Sequence, residues 1–292
     1  MLTATIGNFD GVHIGHQSLL ARARAVSSGD EVVAVTFDAH PALLTRGSPP
    51  PALTHSDSRA ELLRASGASR VETLALTREL LAMDPDQFVR WLRALIPFAA
   101  IVVGEDFRFG RGRAGDAVTL QRLGEAMSFS VHVVAEMRVR LSDGHEVGAH
   151  SSVARWLIGL GRVADAARIL GRPHSVSGIV VEGEGRGRGL GFPTANVSTG
   201  DALLPADGVY AVRVRDGSGQ WWRGAASIGT NPTFHGQRRT LEVHILEMPL
   251  ATDLYGTMLR VEFTQWIREM LAFDSVDALV DRMHADCARV PA

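Results

Sequence analysis

The stretch Gly7-Asn8-Phe9-Asp10-Gly11-Val12-His13-Ile14-Gly15-His16 joins a β-rich run at Ala4–Phe9 to a segment of helical spacing at His16–Ala25. Glycines at such a junction let the backbone approach a nucleotide closely, and the first turn of a helix favours anions. Imidazoles placed there can donate hydrogen bonds to phosphate oxygens while negative charge develops on them. The stretch therefore predicts a phosphate-handling site, with catalytic candidates His13 and His16 and nucleotide-binding candidates Gly7, Asn8 and Asp10.

Two other interpretations of this stretch stay open. The first is a turn whose polar residues are incidental. The second is a metal site, but a tetrahedral site would need cysteine or carboxylate ligands beside His13 and His16, and the sequence offers no such cluster. The position of the stretch at a strand-to-helix junction favours a phosphate site over both of these interpretations.

The first half of the chain alternates β-rich runs with segments of helical spacing. Strands are expected at Ala4–Phe9, Glu31–Phe37, Arg70–Leu76, Ala99–Gly104 and Phe129–Ala135, and helices at His16–Ala25, Ser58–Ala65, Asp86–Ile96 and Asp116–Ala126. Such alternation predicts an α/β fold with a parallel sheet that is covered on both faces. Ligands of these sheets bind beyond the carboxyl ends of the strands, which is where the stretch at residues 7–16 lies.

The pattern changes after Pro173, which follows a pair of helices expected at Ser151–Leu170. Short strands then alternate with glycine- and proline-rich turns, at Ser177–Glu182, Gly208–Val214, Trp221–Ile228, Thr240–Leu246 and Met258–Phe263, before a final helix at Ser275–Ala288. This spacing predicts a small closed antiparallel β-barrel with a C-terminal helix. Two domains are therefore expected, residues 1–172 and residues 173–292.

A glycine-rich segment early in the second half has the composition of a phosphate-binding loop. Five glycines alternate through Gly183–Gly191, and the chain runs on into Phe192-Pro193-Thr194-Ala195-Asn196. Backbone amides of such a loop suit phosphate, which makes Gly185 and Gly187 binding candidates. Thr194 and Asn196 share one face of an extended segment, and their oxygens suit Mg²⁺. The alternative is a glycine-rich hairpin that binds nothing.

A carboxylate on a predicted barrel strand is the other candidate in the second half. Glu242 and His244 share one face of the strand, and Leu241, Val243 and Ile245 share the other. We expect Glu242 to point inward, where a carboxylate is costly unless it is paired or functional.

The composition excludes several classes of chemistry. All 30 basic residues are arginine, so the chain has no lysine for a Schiff base, a P-loop or a general base. The net charge of −2 argues against nucleic-acid and membrane-surface partners. No apolar run reaches the roughly 18 residues of a membrane span. The single cysteine fits a reducing compartment, so a cytoplasmic location is expected.

The motifs together resemble a known family. The stretch at residues 7–16 is similar to the signature of HxGH nucleotidyltransferases, and its full length resembles the bifunctional bacterial riboflavin kinase/FAD synthetases. Further matching segments are Phe37-Asp38-Ala39-His40-Pro41, Gly104-Glu105-Asp106-Phe107-Arg108-Phe109-Gly110, Ser227-Ile228-Gly229-Thr230-Asn231-Pro232-Thr233-Phe234, Asp253-Leu254-Tyr255-Gly256 and Ile267-Arg268-Glu269. The resemblance implies a Rossmann-like nucleotidyltransferase domain followed by a riboflavin kinase barrel.

The resemblance also implies substrates and residue roles. Riboflavin would be phosphorylated to FMN and FMN adenylylated to FAD, with ATP as co-substrate and Mg²⁺ as cofactor. In the kinase domain, Glu242 would be the base, Thr194 and Asn196 the magnesium ligands, and Asn231 and Arg268 contacts to nucleotide or flavin. In the transferase domain the implied residues are Asp106, Ser151, Ser152 and Arg155. Partners beyond small molecules are not implied, and the oligomeric state, including weak self-association, is left open.

One motif departs from the family pattern. The family has Ile-Ser-Ser-Thr-x-x-Arg where this chain has Ala149-His150-Ser151-Ser152-Val153-Ala154-Arg155. The replacement at His150 predicts slow adenylylation and accumulation of FMN. The nearest alternative function is therefore a riboflavin kinase with a weakened or inactive adenylyltransferase domain. A flavin-binding protein without turnover, and a transferase that acts on another metabolite, are the remaining alternatives.

Overall fold

The computed structural model describes residues 2–183, 186–230, 239–249 and 252–291. The chain forms two compact units, Met1–Ser151 and Ser152–Ala292. Each unit has its own sheet and its own hydrophobic core.

A five-stranded parallel sheet lies at the centre of the N-terminal unit, in the order β3-β2-β1-β4-β5. Its strands are β1 (Thr3–Ile6), β2 (Val32–Phe37), β3 (Arg70–Leu74), β4 (Ala100–Gly104) and β5 (Ser130–Val134). The helices are α1 (Ile14–Ser27), α2 (Ala42–Arg46), α3 (Ser56–Ala65), α4 (Arg78–Ala82), α5 (Pro85–Leu95) and α6 (Ala117–Met127). The predicted α/β architecture is confirmed. The short helices α2 and α4 and a hairpin of β6 (Arg138–Arg140) and β7 (Glu146–Gly148) were not expected.

The central strands are buried on both faces, because their alternate residues enter two different cores. One core combines Ile6, Val35 and Val103 with Phe88 and Leu92 of α5. The other core is formed by Val32, Ala34, Val102, Leu19, Leu20 and Leu63. Apolar side chains on both faces leave the carboxyl ends of β1 and β4 as the places where polar loops emerge. Those loops carry the predicted transferase residues from Gly7 to His13 and Asp106.

The second unit is built on a closed barrel with the strand order β10-β11-β12-β9-β8-β13. The strands are β8 (His174–Val181), β9 (Ala195–Ser198), β10 (Gly208–Arg215), β11 (Trp221–Thr230), β12 (Arg239–Ile245) and β13 (Met258–Arg268). The helices of this part of the chain are α7 (Ser151–Gly159), α8 (Val163–Leu170), α9 (Arg186–Gly189) and α10 (Val276–Ala288). The predicted barrel and C-terminal helix are confirmed, and β9 is an additional strand.

The two compact units divide after Ser151 and not at the predicted residue 172. The reason is that α8 packs on β8 and β13, and Val163 joins the hydrophobic core of the barrel. A methyl group at Gly161 would also collide with the ring of Trp266 on β13. The helical pair at residues 151–170 therefore packs with the barrel, although its first residues belong to a predicted transferase motif.

A buried ion pair links α10 to the end of β13. The Arg268 Nη2 and Asp286 Oδ2 atoms lie 2.7 Å apart, and the two side chains are only 10% and 4% exposed. Arg268 Nε also donates to both Asp286 oxygens, and Arg282 lies within 3.4 Å of the same carboxylate. Arg268, predicted to contact nucleotide or flavin, thus has a structural partner within the barrel unit.

Replacing Asp286 with alanine should destabilise the barrel unit by about 3–5 kcal/mol, because a buried arginine loses its partner carboxylate. Chemical denaturation of the full chain, followed by tryptophan fluorescence, measures this change. Asp281→Ala, at an exposed position of the same helix, is the matched control and should change stability by less than about 0.5 kcal/mol. Equal effects of the two variants would contradict the stabilising role of the ion pair.

Candidate active sites

The turn that follows β1 has an unusual backbone. Phe9 and Val12 adopt φ angles of 48° and 39°, which β-branched and aromatic residues rarely do. Both side chains are completely buried in the core beneath the turn. Such conformations cost on the order of 1–3 kcal/mol each and persist only where the surroundings enforce them. The strand therefore ends at Ile6, three residues before the predicted end at Phe9, and the turn takes a fixed shape.

Asp10 fixes the turn to a neighbouring segment. Its carboxylate accepts hydrogen bonds from the backbone N–H groups of Leu53 and Thr54, at 3.0 and 3.1 Å. The Gly11 N–H donates to Thr54 Oγ1 at 3.2 Å, and the Ser151 hydroxyl donates to the Asp10 carbonyl at 2.7 Å. Asp10 and Ser151 were predicted to bind nucleotide, and the structure places both in contacts that hold the turn itself.

Two hydrogen bonds hold the backbone carbonyl of Asn8 in place, and its side chain takes no part in them. Its carbonyl accepts from Thr36 Oγ1 and Arg59 Nη1, both at 3.3 Å. Arg59 is 7% exposed and also donates to the Phe37 carbonyl at 2.8 Å. The Asn8 side-chain oxygen is buried and has no hydrogen-bond partner among the described residues. A buried acceptor of this kind is suited to a ligand that brings a donor, which fits the predicted binding role of Asn8.

The two histidines lie face to face at the start of α1. Their ring centroids are 3.6 Å apart, and the His16 ring meets the edge of Phe9 at 5.0 Å. A methyl group at Gly15 would lie 3.1 Å from the His13 ring and 3.2 Å from the Ala149 carbonyl, so glycine is needed for this packing. Burial, together with His13 and His150, lowers the pKa of His16 well below its usual value. His16 is therefore a neutral imidazole at neutral pH.

The low pKa of His16 should make stability depend on pH. In the folded state the ring resists protonation, whereas in the unfolded chain it takes up a proton near pH 6.5. Below that pH the unfolded chain binds more protons, so the free energy of unfolding falls by up to roughly 1.4 kcal/mol per pH unit. Urea denaturation of the wild type and His16→Asn at pH 7.5 and 5.5 measures the effect. The wild type should lose more stability than the variant; equal losses would contradict the prediction.

The remaining predicted transferase residues lie near the same edge of the sheet or on α7. Gly7 directly follows β1, and Asp106 is exposed two residues beyond β4. Ser152 is exposed in the first turn of α7, and Arg155 is half-buried one turn further on. Ser152 and Arg155 fall in the second compact unit, whereas the histidines fall in the first.

In the barrel, Glu242 lies in a row of polar residues. It pairs with Asn196 of β9 on one side and with Ser227 of β11 on the other, so the three side chains share one face. That face points away from the barrel core. Leu241, Val243 and Ile245 fill the interior instead, so the prediction that Glu242 points inward was wrong. The cause is hydrophobic burial, since three aliphatic side chains gain far more inside than two polar ones.

Thr194 and the glycine-rich segment adjoin this row. The Thr194 hydroxyl lies 3.5 Å from Glu242 Oε2, near the outer limit of a hydrogen bond. A methyl group at Gly183 would collide with the Asn196 side chain, and one at Gly187 would collide with the Phe192 carbonyl and lie 3.6 Å from Thr194 Oγ1. Glycine at these two positions thus allows close contact, of Gly183 with Asn196 and of Gly187 with Phe192.

Aromatic side chains position the Phe192–Thr194 segment. His244, next to Glu242 on the outer face of β12, lies with Nδ1 2.9 Å from the Pro193 carbonyl. The Phe192 ring meets the His244 ring at 5.2 Å and the His284 ring of α10 at 4.8 Å. Helix α10 therefore flanks the candidate site.

A pocket of about 80 Å³ opens at one end of the barrel beside Thr194. Its walls combine apolar side chains, such as Val180 and Ile245, with polar ones, such as Thr252 and Asp253. It is smaller than the roughly 300–1,000 Å³ of a typical site for a small organic ligand, so it would take only part of one.

Sequence reasoning missed the residues that support the two sites. Thr54 and Arg59 hold the turn after β1, and Phe192 and His284 flank the barrel site. These residues come from distant parts of the chain and carry no local motif, so only the fold reveals them. Gly185 and Asn231, predicted to bind nucleotide, lie outside the described residues.

Comparisons with known proteins cover almost the whole chain. A family model for FAD synthetase matches residues 2–145, and one for riboflavin kinase matches residues 170–292. The bifunctional riboflavin kinase/FMN adenylyltransferase of Pseudomonas fluorescens is 38% identical over 98% of this chain and 90% of that protein. The protein of the same name from Escherichia coli strain K12 is 35% identical over 97% of this chain and 89% of its own length.

A solved structure shares the same fold. It is described as a macrolide-efflux protein from Streptococcus pneumoniae, is 31% identical, and matches with a TM-score of 0.88 over 99% of this chain and 93% of its own. Within the described residues, we find no helix that combines the length and apolar character of a membrane span. The resemblance expected from the motifs is confirmed, and the chain belongs to the family of bifunctional riboflavin kinase/FMN adenylyltransferases.

Proposed function

We propose that this protein makes FAD from riboflavin in two ATP-dependent steps, phosphorylation in the barrel and adenylylation at the turn after β1. The observation that carries the proposal is the row of oxygen donors on the outer face of the barrel. Glu242, Asn196 and Thr194 lie together there, beside a small pocket at one end of the barrel. Family membership supports both activities.

In the kinase step, Glu242 would orient the ribityl 5′-hydroxyl of riboflavin and accept its proton. The hydroxyl oxygen then bonds to the γ-phosphorus of ATP, the bond from that phosphorus to the bridging oxygen breaks, and ADP leaves. Phosphoryl transfer needs mainly positioning and charge stabilisation, so a single base on a rigid strand is enough. The face shared by Glu242 and Asn196 is rigid because both residues belong to paired strands.

The donor set of this site fits Mg²⁺. Hydroxyl, amide and carboxylate oxygens are the ligands this ion prefers, and it takes most of its remaining ligands from water and substrate phosphates. No cluster of three or more His, Cys, Asp or Glu side chains suited to a metal occurs in the described part of the chain. Thr194 and Asn196 would therefore hold the ion together with ATP. When bound, Mg²⁺ neutralises charge on the phosphates.

The pocket beside Thr194 would receive part of the nucleoside end of ATP. Its apolar side chains would contact the purine ring, and Thr194 lies in its wall, where the phosphates would begin. Gly187 and the other glycines of the same segment would approach the phosphates with their backbone N–H groups. Riboflavin would then lie on the other side of Thr194, toward Phe192 and α10.

In the adenylyl step, a phosphate oxygen of FMN attacks the α-phosphorus of ATP. The bond between the α-phosphorus and the bridging oxygen breaks, and pyrophosphate leaves. The nucleophile is already anionic, so the protein supplies no base. His13 and His16 would donate hydrogen bonds as charge develops, with Ser152 and Arg155 on α7 as further contacts and Asn8 as a contact to the nucleotide.

We assign the adenylyltransferase function to residues 1–172 and the kinase function to residues 173–292, because the motif through Arg155 belongs with the transferase residues even though its helix packs with the barrel. Both reactions would take place in the cytoplasm, which suits the single free cysteine, Cys287. Nucleic-acid partners are not part of the proposal. Size-exclusion chromatography with light scattering would test for weak self-association.

Incubation of the purified protein with riboflavin, ATP and Mg²⁺ tests the proposal directly. Chromatography should show FMN and then FAD. Formation of FMN alone, and no pyrophosphate release when FMN is supplied, would favour a kinase with an inactive transferase domain. Flavin binding without ATP consumption would overturn the proposal.

A further inference from the structure

Three consecutive residues pack along the turn that carries the two histidines. A methyl group at Gly15 would lie 3.2 Å from the Ala149 carbonyl, and the Ser151 hydroxyl donates to the Asp10 carbonyl at 2.7 Å. His150 lies between these two contacts. The backbone of His150 therefore lies against the turn at residues 7–16, within the N-terminal unit.

The His150 side chain is held by a carboxylate. Its Nε2 atom lies 2.6 Å from Glu136 Oε1, just beyond the end of β5. The contact uses Nε2, so a ligand would meet the other ring nitrogen, Nδ1. Glu136 is itself held, because its backbone N–H donates to Glu105 Oε1 at 3.0 Å and its Oε2 atom lies 3.3 Å from Arg138 Nη1.

The His150–Glu136 pair also packs against the backbone of Gly148, where there is no room for a side chain. A methyl group at Gly148 would collide with Glu136 and lie 2.8 Å from His150 Nε2. The imidazole is thus fixed in orientation although it is 39% exposed. A fixed ring that still reaches solvent can meet a substrate without paying much conformational entropy.

His150 lies close enough to His16 to affect its pKa. It contributes, after burial and His13, to the lowered pKa of His16. The charged or titratable groups around it are Glu136, Glu105, Arg138 and His16. In addition, α1 begins at Ile14, close to the Ala149 carbonyl, and anions are favoured at a helix N-terminus.

We propose that His150, oriented by Glu136, is a third histidine of the adenylyltransferase site and contacts the phosphates of ATP that depart as pyrophosphate. The inference rests on the proposed function of the N-terminal unit. In a chain without lysine, arginine and histidine are the only side chains that can bring a positive charge to these phosphates. His150 would act as a catalytic residue, and Glu136 as a positioning residue that acts through it. The expectation that the histidine weakens adenylylation is thereby reversed.

The test compares His150→Ser, which introduces the family's usual residue, with His150→Gln and His150→Arg. In the conversion of FMN to FAD, Ser and Gln should lower kcat by about tenfold, whereas Arg, which keeps a phosphate-binding donor, should retain most of the rate. Glu136→Gln should cause a smaller loss of the same kind. FMN formation from riboflavin by the same preparations should not change, which shows that the barrel unit is intact, and thermal unfolding followed by circular dichroism should show that the N-terminal unit is folded. His145→Gln, at a side chain 81% exposed on the β6–β7 hairpin, is the matched control.

Binding of inorganic pyrophosphate, measured by calorimetry, gives a readout that needs no turnover. His150→Gln should bind pyrophosphate about tenfold more weakly than wild type, and His145→Gln should bind it equally well. If the wild type makes no FAD, the proposed function is wrong. The pyrophosphate affinities of the wild type and His150→Gln still test the role of His150 in that case. If wild type makes FAD, and His150→Ser and His150→Gln match it in both rate and pyrophosphate affinity, the inference is overturned.

Discussion

Replacing Glu242 with glutamine is expected to stop FMN formation while FMN is still converted to FAD. Glutamine keeps the shape of the side chain and an oxygen that the Thr194 hydroxyl can reach, so the face shared with Asn196 should persist. It cannot accept the proton of the riboflavin hydroxyl at neutral pH. Loss of a general base lowers rates by roughly 10²–10⁴-fold, and this loss should appear in kcat more than in KM.

Two chromatographic assays on the same preparation measure the effect, one starting from riboflavin and one from FMN. Glu247→Gln is the matched control, because this carboxylate is 67% exposed just beyond the same strand. It should leave both rates near those of wild type. Loss of both activities in a folded Glu242→Gln protein would refute the assignment of the two reactions to separate sites. An unchanged kinase rate would show that the base lies elsewhere.

The sequence pattern around Glu242 predicted which residues share a face of the strand but not which face is buried. Period-two alternation correctly separated Glu242 and His244 from Leu241, Val243 and Ile245, but the polar face was assigned to the wrong side of the barrel. The three aliphatic residues determine which face of the strand points into the barrel, because burial of each contributes about 1.5–3 kcal/mol. A functional carboxylate on the outer face needs no special compensation. It needs only neighbours that shield it, here the Phe192–Thr194 segment and α10.

Elements with strong local signals were predicted well. Helix α5 begins at Pro85, one residue before the expected start at Asp86, and Asp84 and Gln87 form a capping box there. The expected strands at residues 208–214 and 221–228 are β10 and β11, which pair directly with each other. The short strand β9 was missed because its four residues are preceded by glycines and carry little pattern of their own. It forms only through pairing with β8 and β12.

Long-range contacts explain what the sequence did not reveal of the transferase site. The motifs predicted Asp10 and Ser151 as nucleotide ligands, yet the Asp10 carboxylate accepts from Leu53 and Thr54, and the Ser151 hydroxyl donates to the Asp10 carbonyl. Those partners lie more than 40 residues away along the chain, so no local spacing indicates them. The left-handed backbone at Phe9 was equally hidden, since it depends on burial of the ring in the core.

Replacing His16 with glutamine or asparagine is expected to lower FAD formation from FMN by about 10²–10³-fold, the usual cost of losing one donor to charge that develops in the transition state. Burial lowers the pKa of His16, so the ring is neutral before ATP binds and gains its strongest interaction only as negative charge grows. The loss should therefore fall on kcat, with the KM for ATP changed little.

The two replacements distinguish the ring nitrogens. The asparagine amide lies close to the position of Nδ1, which is buried without a hydrogen-bond partner among the described residues, whereas the glutamine amide reaches toward the position of Nε2. The variant that keeps more activity identifies the nitrogen that donates to phosphate. Kinase activity of the same preparations and His145→Asn on the exposed hairpin serve as controls. If both His16 variants formed FAD at the wild-type rate, the charge in the transition state would have to be stabilised by His13, His150 and the arginines alone.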